Sequence, residues 1–229
     1  MIVLKPSMHG ESYYRPTYIG HTKNEVTAAS ITLTKPTVQA VESGDFLIIL
    51  VANDSASNTA QWDDITDKPT EFTLVHEAGD SVSDVHHAIF YKIATGTEGA
   101  TINVSSVDSA NYIGYYIHIK GANASTPIGN VGAIYNANFQ TSHTLAGVAD
   151  AADDLGIFIF AFDGSDGTLS ITAGDDWDVT DKTEIPTDSA TGLEVFIGFK
   201  IYAAATAQDV TIGSGGSDGG GGAQFRINS

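Results

Sequence analysis

The most constraining feature of the sequence is the apolar run at residues 44–52, which reads Gly-Asp-Phe-Leu-Ile-Ile-Leu-Val-Ala and is followed by Asn53-Asp54-Ser55. A run of this length between turn-forming residues predicts a β-strand that is buried on both faces. The pattern returns at residues 154–161, and aligning Asp45 with Asp154 gives an offset of 109 residues (154 − 45). We therefore interpret the chain as two copies of one plan.

Other segments repeat in the same order along the chain. The matched positions are Lys92 and Lys200, Thr101 and Thr211, Ile119 and Ile227, and Thr66 and Thr180, at offsets of 108 (200 − 92), 110 (211 − 101), 108 (227 − 119) and 114 (180 − 66). This period is far above the roughly 20–50 residues of solenoid repeats, so it indicates a duplicated half-domain. Two such halves would bury their apolar sheet faces by packing against each other.

The remaining pattern is that of β-strands, because Val, Ile, Thr, Tyr and Phe recur in short runs between turn signals. We predict an all-β, antiparallel β-sandwich of jelly-roll-like type, with half-repeats at about 27–121 and 122–229. Two separate domains side by side are the alternative. The glycine-rich stretch 213–222 is predicted to be a loop. The predicted core is centred on Leu47, Ile49, Val51, Ile89, Tyr91, Ile157, Ile159, Phe196 and Phe199.

Residues 1–26 differ in composition from the rest, and we expect them to form an N-terminal arm. They contain three of the ten basic residues in the chain, together with three tyrosines and two histidines. Disordered tails usually lack aromatic residues, so this segment is expected to dock on its own domain or on a partner, with a loosely ordered terminus as the alternative. The residues expected to bind a partner are Tyr13, Tyr14, Arg15 and Tyr18.

Charge and cysteine content exclude several classes of function. The 229 residues carry a formal net charge of −18 and contain no cysteine. Such a negative surface repels nucleic acid and anionic membranes, so neither is expected as a partner. The lack of cysteine excludes disulfides and thiol catalysis. No secretory signal pattern is seen at the N-terminus, so synthesis in a cytoplasm is expected.

Clusters of aspartate are the only candidate metal sites. The candidates are Asp163, Asp166, Asp175 and Asp176, since closely spaced carboxylates can surround Ca²⁺, which takes 6–8 oxygen ligands. Asp-Gly sequences are also ordinary turn formers, and the complete twelve-residue calcium loop is absent. We therefore expect solvated turns and no cofactor, with Ca²⁺ as the alternative.

Other reactive side chains do not form a recognisable catalytic motif. Ser217 lies in a Gly-x-Ser-x-Gly sequence, which acts as a nucleophile only at a strand-to-helix turn, and no helix is predicted here. His86 and His87 are neighbours on a predicted strand and face opposite ways, so they cannot chelate one ion. His118 is predicted to lie on the wetter face of its strand. Trp62 and Trp177 are expected to pack inside the fold, with stacking on a ligand as the alternative.

Several segments together resemble a β-sandwich module of tailed-bacteriophage virion proteins. The resemblance rests on residues 44–48, 72–75, 90–98 and 100–102, a strand ending at Lys120-Gly121, and a degenerate second half that begins near Asp154. The family usually has Gly-Trp-Thr where this chain has Glu71-Phe72-Thr73. The resemblance covers residues 30–229, and it implies no catalytic residues.

The resemblance leads us to expect a non-enzymatic virion structural protein, made in the host cytoplasm. The expected role is a capsid cement or decoration protein, present in multiple copies or as a homo-oligomer and attached to the major capsid protein or other virion proteins. The alternative is a tail or fibre component that binds host carbohydrate or a receptor. A glycan-degrading enzyme ranks last, since no carboxylate pair stands out.

Overall fold

The structure is a computed structural model, and it describes residues 15–54, 69–79, 85–148, 152–163, 178–185, 192–202 and 209–229. These residues form strands and connecting segments without a helix. In chain order the ten strands are β1 (Thr17–Thr34), β2 (Phe46–Asp54), β3 (Thr73–Gly79), β4 (Val85–Ile93), β5 (Thr101–Lys120), β6 (Ile128–Leu145), β7 (Leu155–Asp163), β8 (Asp178–Ile185), β9 (Leu193–Ile201) and β10 (Val210–Ile227).

The strands form two antiparallel sheets with the same strand order. The first sheet has the order β1-β5-β2-β4-β3, and the second has the order β6-β10-β7-β9-β8. Leu47 pairs with Lys92 and His118 in the first sheet, whereas Gly156 pairs with Lys200 and Arg226 in the second. Each strand of the second sheet thus occupies the place of the strand five positions earlier in the first sheet.

The backbone before each central strand also follows one pattern in both sheets. The Gly44 amide donates to the Ala94 carbonyl (2.9 Å), and the Asp153 amide donates to the Tyr202 carbonyl (2.8 Å). Both donor residues have left-handed backbones, with φ of 93° at Gly44 and 75° at Asp153. Glycine adopts this conformation without strain, and aspartate is among the few other residues that tolerate it.

The two sheets pack face to face around a central core. Alternate residues of β2, among them Phe46, Ile48 and Leu50, point at the second sheet, where they meet side chains of β7 such as Ile157 and Ile159. β4, β5, β9 and β10 add further aliphatic and aromatic side chains to this layer. Burying an apolar face of each sheet in this way is what holds a β-sandwich together.

The outer face of the first sheet is also buried, because β1 and β5 curl over it. The pairing of β1 with β5 shifts register near Ala28 and Ser30, and Asn24 Nδ2 donates to the carbonyl of Thr32 in the same strand (3.0 Å). The far ends of these strands thereby place Ile31, Leu33 and Val104 over the outward side chains of β2, which are Leu47, Ile49 and Val51.

A corresponding cluster lies on the outer face of the second sheet. It joins Leu145 of β6 and Val210 of β10 to Phe158 and Phe160 of β7 and to Phe196 of β9. The sandwich therefore has three apolar layers, one between the sheets and one on the outside of each. The fold class predicted from the sequence, an all-β antiparallel sandwich, is confirmed.

The prediction that two strands are buried on both faces is also confirmed. Every residue of β2 is buried, and β7 is buried up to its last residue. Of the nine predicted core residues, eight are buried. Tyr91 is partly buried and packs against the central core.

The prediction of a loop at residues 213–222 is wrong. β10 runs through this stretch, and its last glycines, residues 220–222, lie where β10 and β7 approach closely. A Cβ atom on Gly222 would lie 2.3 Å from the carbonyl oxygen of Ile159, and one on Gly220 would lie 2.4 Å from that of Ala161. Glycine in a strand often marks such close approaches, which explains why residues with turn-like composition form a strand here.

Residues 17–26, which were expected to belong to the N-terminal arm, lie in β1 and pair with β5. The expected boundary at residue 26 therefore falls inside a strand. Residues 1–14 lie outside the described residues. The expected boundary between the half-repeats near residue 121 falls where the chain passes from the first sheet to the second, between Lys120 and Ile128.

We expect Gly222→Ala to lower the free energy of unfolding by about 1–3 kcal/mol, because the added methyl group would push β10 away from β7. Gly99→Ala is the control, since a Cβ there would meet only the Thr101 carbonyl at an ordinary 3.6 Å. Urea unfolding of both variants and the wild type measures the difference. Equal stabilities for the two variants would contradict the close approach.

Candidate functional site

A polar cleft of about 660 Å³ opens on the outer face of the first sheet. The end of β4, the turn that follows it and the start of β5 form its walls. Its lining includes Glu71, Lys92, Thr97, Glu98, Asn103 and Tyr116. Because hydroxyl, amide and charged groups converge on one concavity, this cleft is the candidate site for a small polar ligand.

Lys92 is the central cation of the cleft. Its Nζ lies 2.5 Å from Glu71 Oε2 and 3.5 Å from Glu98 Oε1. The hydrogen bond to Glu71 is the main reason that the pKa of Lys92 is raised, so the ammonium stays charged. Glu71 itself is largely exposed and has a left-handed backbone, with φ of 69°. The lysine is thus held between one exposed and one buried carboxylate.

Glu98 is the buried carboxylate, and it closes the turn after β4. It accepts hydrogen bonds from the Thr95 amide (2.5 Å), the Thr95 hydroxyl (2.9 Å) and the Gly96 amide (3.0 Å). Burial alone would raise the pKa of Glu98, but the hydrogen bonds from Thr95 and the charge of Lys92 outweigh it and lower the pKa to about 2. Gly96 permits this turn because its φ is +85°.

Tyr116 lies under the cleft and is almost fully buried, with its ring edge-on to Phe72. Burial, followed by the charge of Glu98, raises the pKa of Tyr116 to about 12. Glu98, Lys92 and Tyr116 therefore keep one protonation state around neutral pH, whereas general acid–base catalysis needs a group that titrates near the working pH. These three groups are arranged to donate and accept hydrogen bonds.

An aromatic residue follows the equivalent strand of the second sheet. Tyr202 follows β9 as Ala94 follows β4, with the matching backbone hydrogen bond described above. The Arg226 guanidinium lies 3.2 Å from the centre of the Tyr202 ring, a cation–π contact, and Lys200 Nζ lies 5.7 Å from it. The two sheets thus carry a small alanine and a large tyrosine at matching positions.

A buried contact between a histidine and an aspartate lies on the same outer face as the cleft. His118 Nε2 is 2.7 Å from Asp45 Oδ2, and this oxygen also accepts from the Glu42 amide (2.9 Å). The prediction that His118 lies on the wetter face is wrong, because its side chain is fully buried. The alternation of residues correctly separates the two faces of β5, but it does not reveal that the outer face is buried at His118, where Asp45 lies against it.

Three histidines lie close together where β3 pairs with β4. His87 is fully buried and its ring centre lies 5.3 Å from that of His76, whereas His86 is on the opposite face of the strand. Burial, with smaller contributions from the charges of His76 and His86, lowers the pKa of His87 to about 3. His87 is therefore a neutral side chain of the interior at any ordinary pH.

The candidate metal ligands are not brought together by the described structure. Asp163 ends β7, while Asp166, Asp175 and Asp176 lie outside the described residues. Among the residues that the structure describes, no group of three or more histidines and acidic residues could hold a metal ion. The calcium alternative is therefore neither supported nor tested by this part of the chain.

Two of the predicted partner-binding residues make contacts within the molecule. Arg15 Nη2 lies 2.8 Å from Asp153 Oδ1. The ring of Tyr18 stacks 4.2 Å from that of Phe199, and its hydroxyl lies 2.5 Å from His21 Nδ1. Both contacts tie the beginning of β1 to other parts of the sandwich, and the Phe199 contact reaches the second sheet. Tyr13 and Tyr14 lie outside the described residues.

The remaining singled-out residues have simpler placements. Ser217 lies within β10, so the strand-to-helix turn required of a nucleophile elbow is not formed there. Trp62 and Trp177 lie outside the described residues. The cleft itself was not predicted, although residues 95–98, which build its turn, belong to the segment that carries the family resemblance.

Comparison of the chain with protein-family models, with curated proteins and with solved structures found no match.

We expect Glu98→Gln to lower the free energy of unfolding by about 1–3 kcal/mol, since the amide replaces a charged acceptor of three hydrogen bonds and leaves Lys92 with one carboxylate. Because its folded pKa is depressed, Glu98 stabilises the fold above the unfolded value of 4.5, and this contribution is lost as the pH falls towards 2. The Glu98→Gln variant should lose that part of the pH dependence of stability.

Glu71→Gln changes an exposed carboxylate, so it should lower the free energy of unfolding by less than about 1 kcal/mol. Urea titrations at several pH values test both.

We expect acid to destabilise the fold through His87. Its folded pKa of about 3 lies below the unfolded value of 6.5, so the unfolded chain binds more protons between these values and stability falls as the pH drops below 6.5. The free energy of unfolding should fall by up to about 1.4 kcal/mol for each pH unit in this range. His87→Leu should flatten the stability profile between pH 6.5 and 5, where few carboxylates titrate. An unchanged slope in this variant would contradict the assignment.

Proposed function

We propose that this chain is a non-enzymatic structural protein of a bacteriophage virion, and specifically a capsid cement or decoration protein. It would be made in the host cytoplasm and would attach in many copies to the major capsid protein or to another virion protein. The chain would be a duplicated module with an N-terminal attachment segment. The resemblance of residues 90–98 and the neighbouring segments to tailed-phage virion modules is the sequence argument for this role.

The observation that carries the proposal is the construction of the body from two sheets with three apolar layers. Both central strands, β2 and β7, are buried on both faces, and the long strands curl to cover them. Such a body presents strand edges and connecting segments as its contact surfaces. A two-sheet body of this kind suits a protein that must remain folded while it is attached to a larger assembly.

The matching strand orders and registers of the two sheets support the duplication. Equivalent paired positions differ by 108 or 109 residues, as at Lys92 and Lys200 or at Leu47 and Gly156. In the part of the chain that the structure describes, no helix is long and apolar enough to cross a membrane. The net charge of −18 favours a basic patch on the scaffold as the attachment surface.

The attachment segment is tested by removing residues 1–14 and mixing the protein with undecorated capsids of the source phage. The truncation stops before β1, so that the pairing of β1 with β5 is kept. We expect the full chain to sediment with capsids and the truncated chain to bind at least about tenfold more weakly, because the tyrosine-rich segment supplies contact area. Tyr13→Ala with Tyr14→Ala is the finer variant.

Two outcomes would contradict these proposals. Unchanged binding by the truncated chain would show that the segment is not the anchor. A full-length chain that ignores capsids but binds cells or glycans would replace the capsid role with that of a tail or fibre component.

The polar cleft favours this second candidate function, binding of a host carbohydrate. Its lining offers threonine hydroxyls, an asparagine amide and a lysine ammonium, which can exchange hydrogen bonds with sugar hydroxyls. Thr97 and Asn103 are exposed at its surface, while Tyr116 lies under its floor. The absence of an exposed aromatic ring among the lining residues implies weak, hydrogen-bond-dominated binding.

Gly99→Phe tests the cleft, since residue 99 lines it and a Cβ there meets nothing closer than 3.6 Å. We expect any glycan affinity seen on an array and measured by calorimetry to fall at least about tenfold in Gly99→Phe, because the ring occupies the cleft. Gly99→Ala should bind as the wild type does. Glycan binding that survives the phenylalanine would place the ligand elsewhere.

A further inference from the structure

The strand β6 is an 18-residue sheet edge without a single charged residue. Its sequence contains apolar residues, glycine, asparagine, glutamine, serine, threonine and one histidine, and no Asp, Glu, Lys or Arg. The chain as a whole has 28 acidic and 10 basic residues, so an uncharged stretch of this length on the outside of a sheet is unusual here. Proteins commonly protect such edges with charged side chains.

The other three sheet edges carry that protection. β1, β3 and β8 are the remaining edge strands of the two sheets. Their charged residues are Lys23 and Glu25 in β1, Glu77 in β3, and Asp178, Asp181, Lys182 and Glu184 in β8. β6 occupies in the second sheet the place of β1 in the first, and it differs from β1 in having lost every charge.

The outer side of β6 is available for pairing in the described structure. β6 pairs with β10 on one side, and no strand of the described residues pairs with its other side. Unpaired amide and carbonyl groups in a row are a template for another strand.

The lack of charge along β6 indicates which kind of partner could bind at this edge. Two copies of a chain with a net charge of −18 repel each other, and at physiological salt this repulsion is screened over about 8 Å. An interface formed along β6 would contain no charged side chain from that strand. A basic partner would gain nothing from an edge without carboxylates. A second copy can approach here with less repulsion than at the other three edges.

We propose that β6 pairs with β6 of a second copy, in antiparallel orientation about a two-fold axis, so that two second sheets join into one continuous sheet. A two-fold axis makes a strand meet itself in antiparallel orientation, which is the orientation of every other pair in this fold. Val131 and Ser142 lie three residues from opposite ends of β6, so each faces the other across a central axis. This dimer does not depend on attachment to a particle.

The test is sedimentation velocity of the purified full chain over a range of concentrations, with a Val131→Glu, Ser142→Glu double variant. Both residues are exposed, so the fold should tolerate the change, and circular dichroism checks that it does. We expect a concentration-dependent dimer for the wild type and at least about tenfold weaker association for the double variant, since each glutamate would face a glutamate of the partner copy.

Val38→Glu is the matched control, because Val38 is another exposed valine and lies outside the strands. It should dimerise as the wild type does, apart from the small effect of one added charge. Backbone amides of β6 should also exchange more slowly with deuterium as the wild-type concentration rises. A wild type that stays monomeric up to its solubility limit would overturn the proposal. A dimer that survives the double substitution would overturn it equally, in favour of another interface.

Discussion

The burial of both faces of β2 and β7 is the constraint on which the rest of the structure depends. A strand with apolar side chains on both sides must be covered twice, and packing two sheets together covers only one side. The outer side is covered by the long strands, whose far ends curl over the outer face of their own sheet. The lengths of β1, β5, β6 and β10, each 18 or 20 residues, follow from this requirement.

The two halves share a framework but differ at the positions that could carry a function. Ala94 follows β4 in the first half, whereas the matching Tyr202 follows β9 and contacts the Arg226 guanidinium. Likewise, His118 is paired with Asp45, while Arg226 at the matching position contacts an aromatic ring. Matching positions in the two sheets thus carry different side chains.

Much of the fold could be predicted from the sequence, because residues such as Ile49 and Ile159 lie in runs whose length and ends are typical of buried strands. The predictions failed where a distant part of the chain decides the outcome. The glycines around Gly222 read locally as a loop, yet they are needed for close contact with β7. His118 alternates with apolar neighbours as an exposed residue would, but it is fully buried beside Asp45. The cleft was missed for a similar reason, since Glu71 meets Lys92 only after β3 and β4 pair.

The separation of the sheets along the chain has a consequence for how the protein is made. Every strand pairing lies within one half, and the widest in the first half joins Thr17 to Lys120, 103 residues apart (120 − 17). The first sheet can therefore close on the ribosome only when residue 120 has emerged, and closure across such a distance is slow. Until the second half follows, the inward face of β2 remains uncovered. That interval is the stage of synthesis at which nascent chains are most exposed to aggregation.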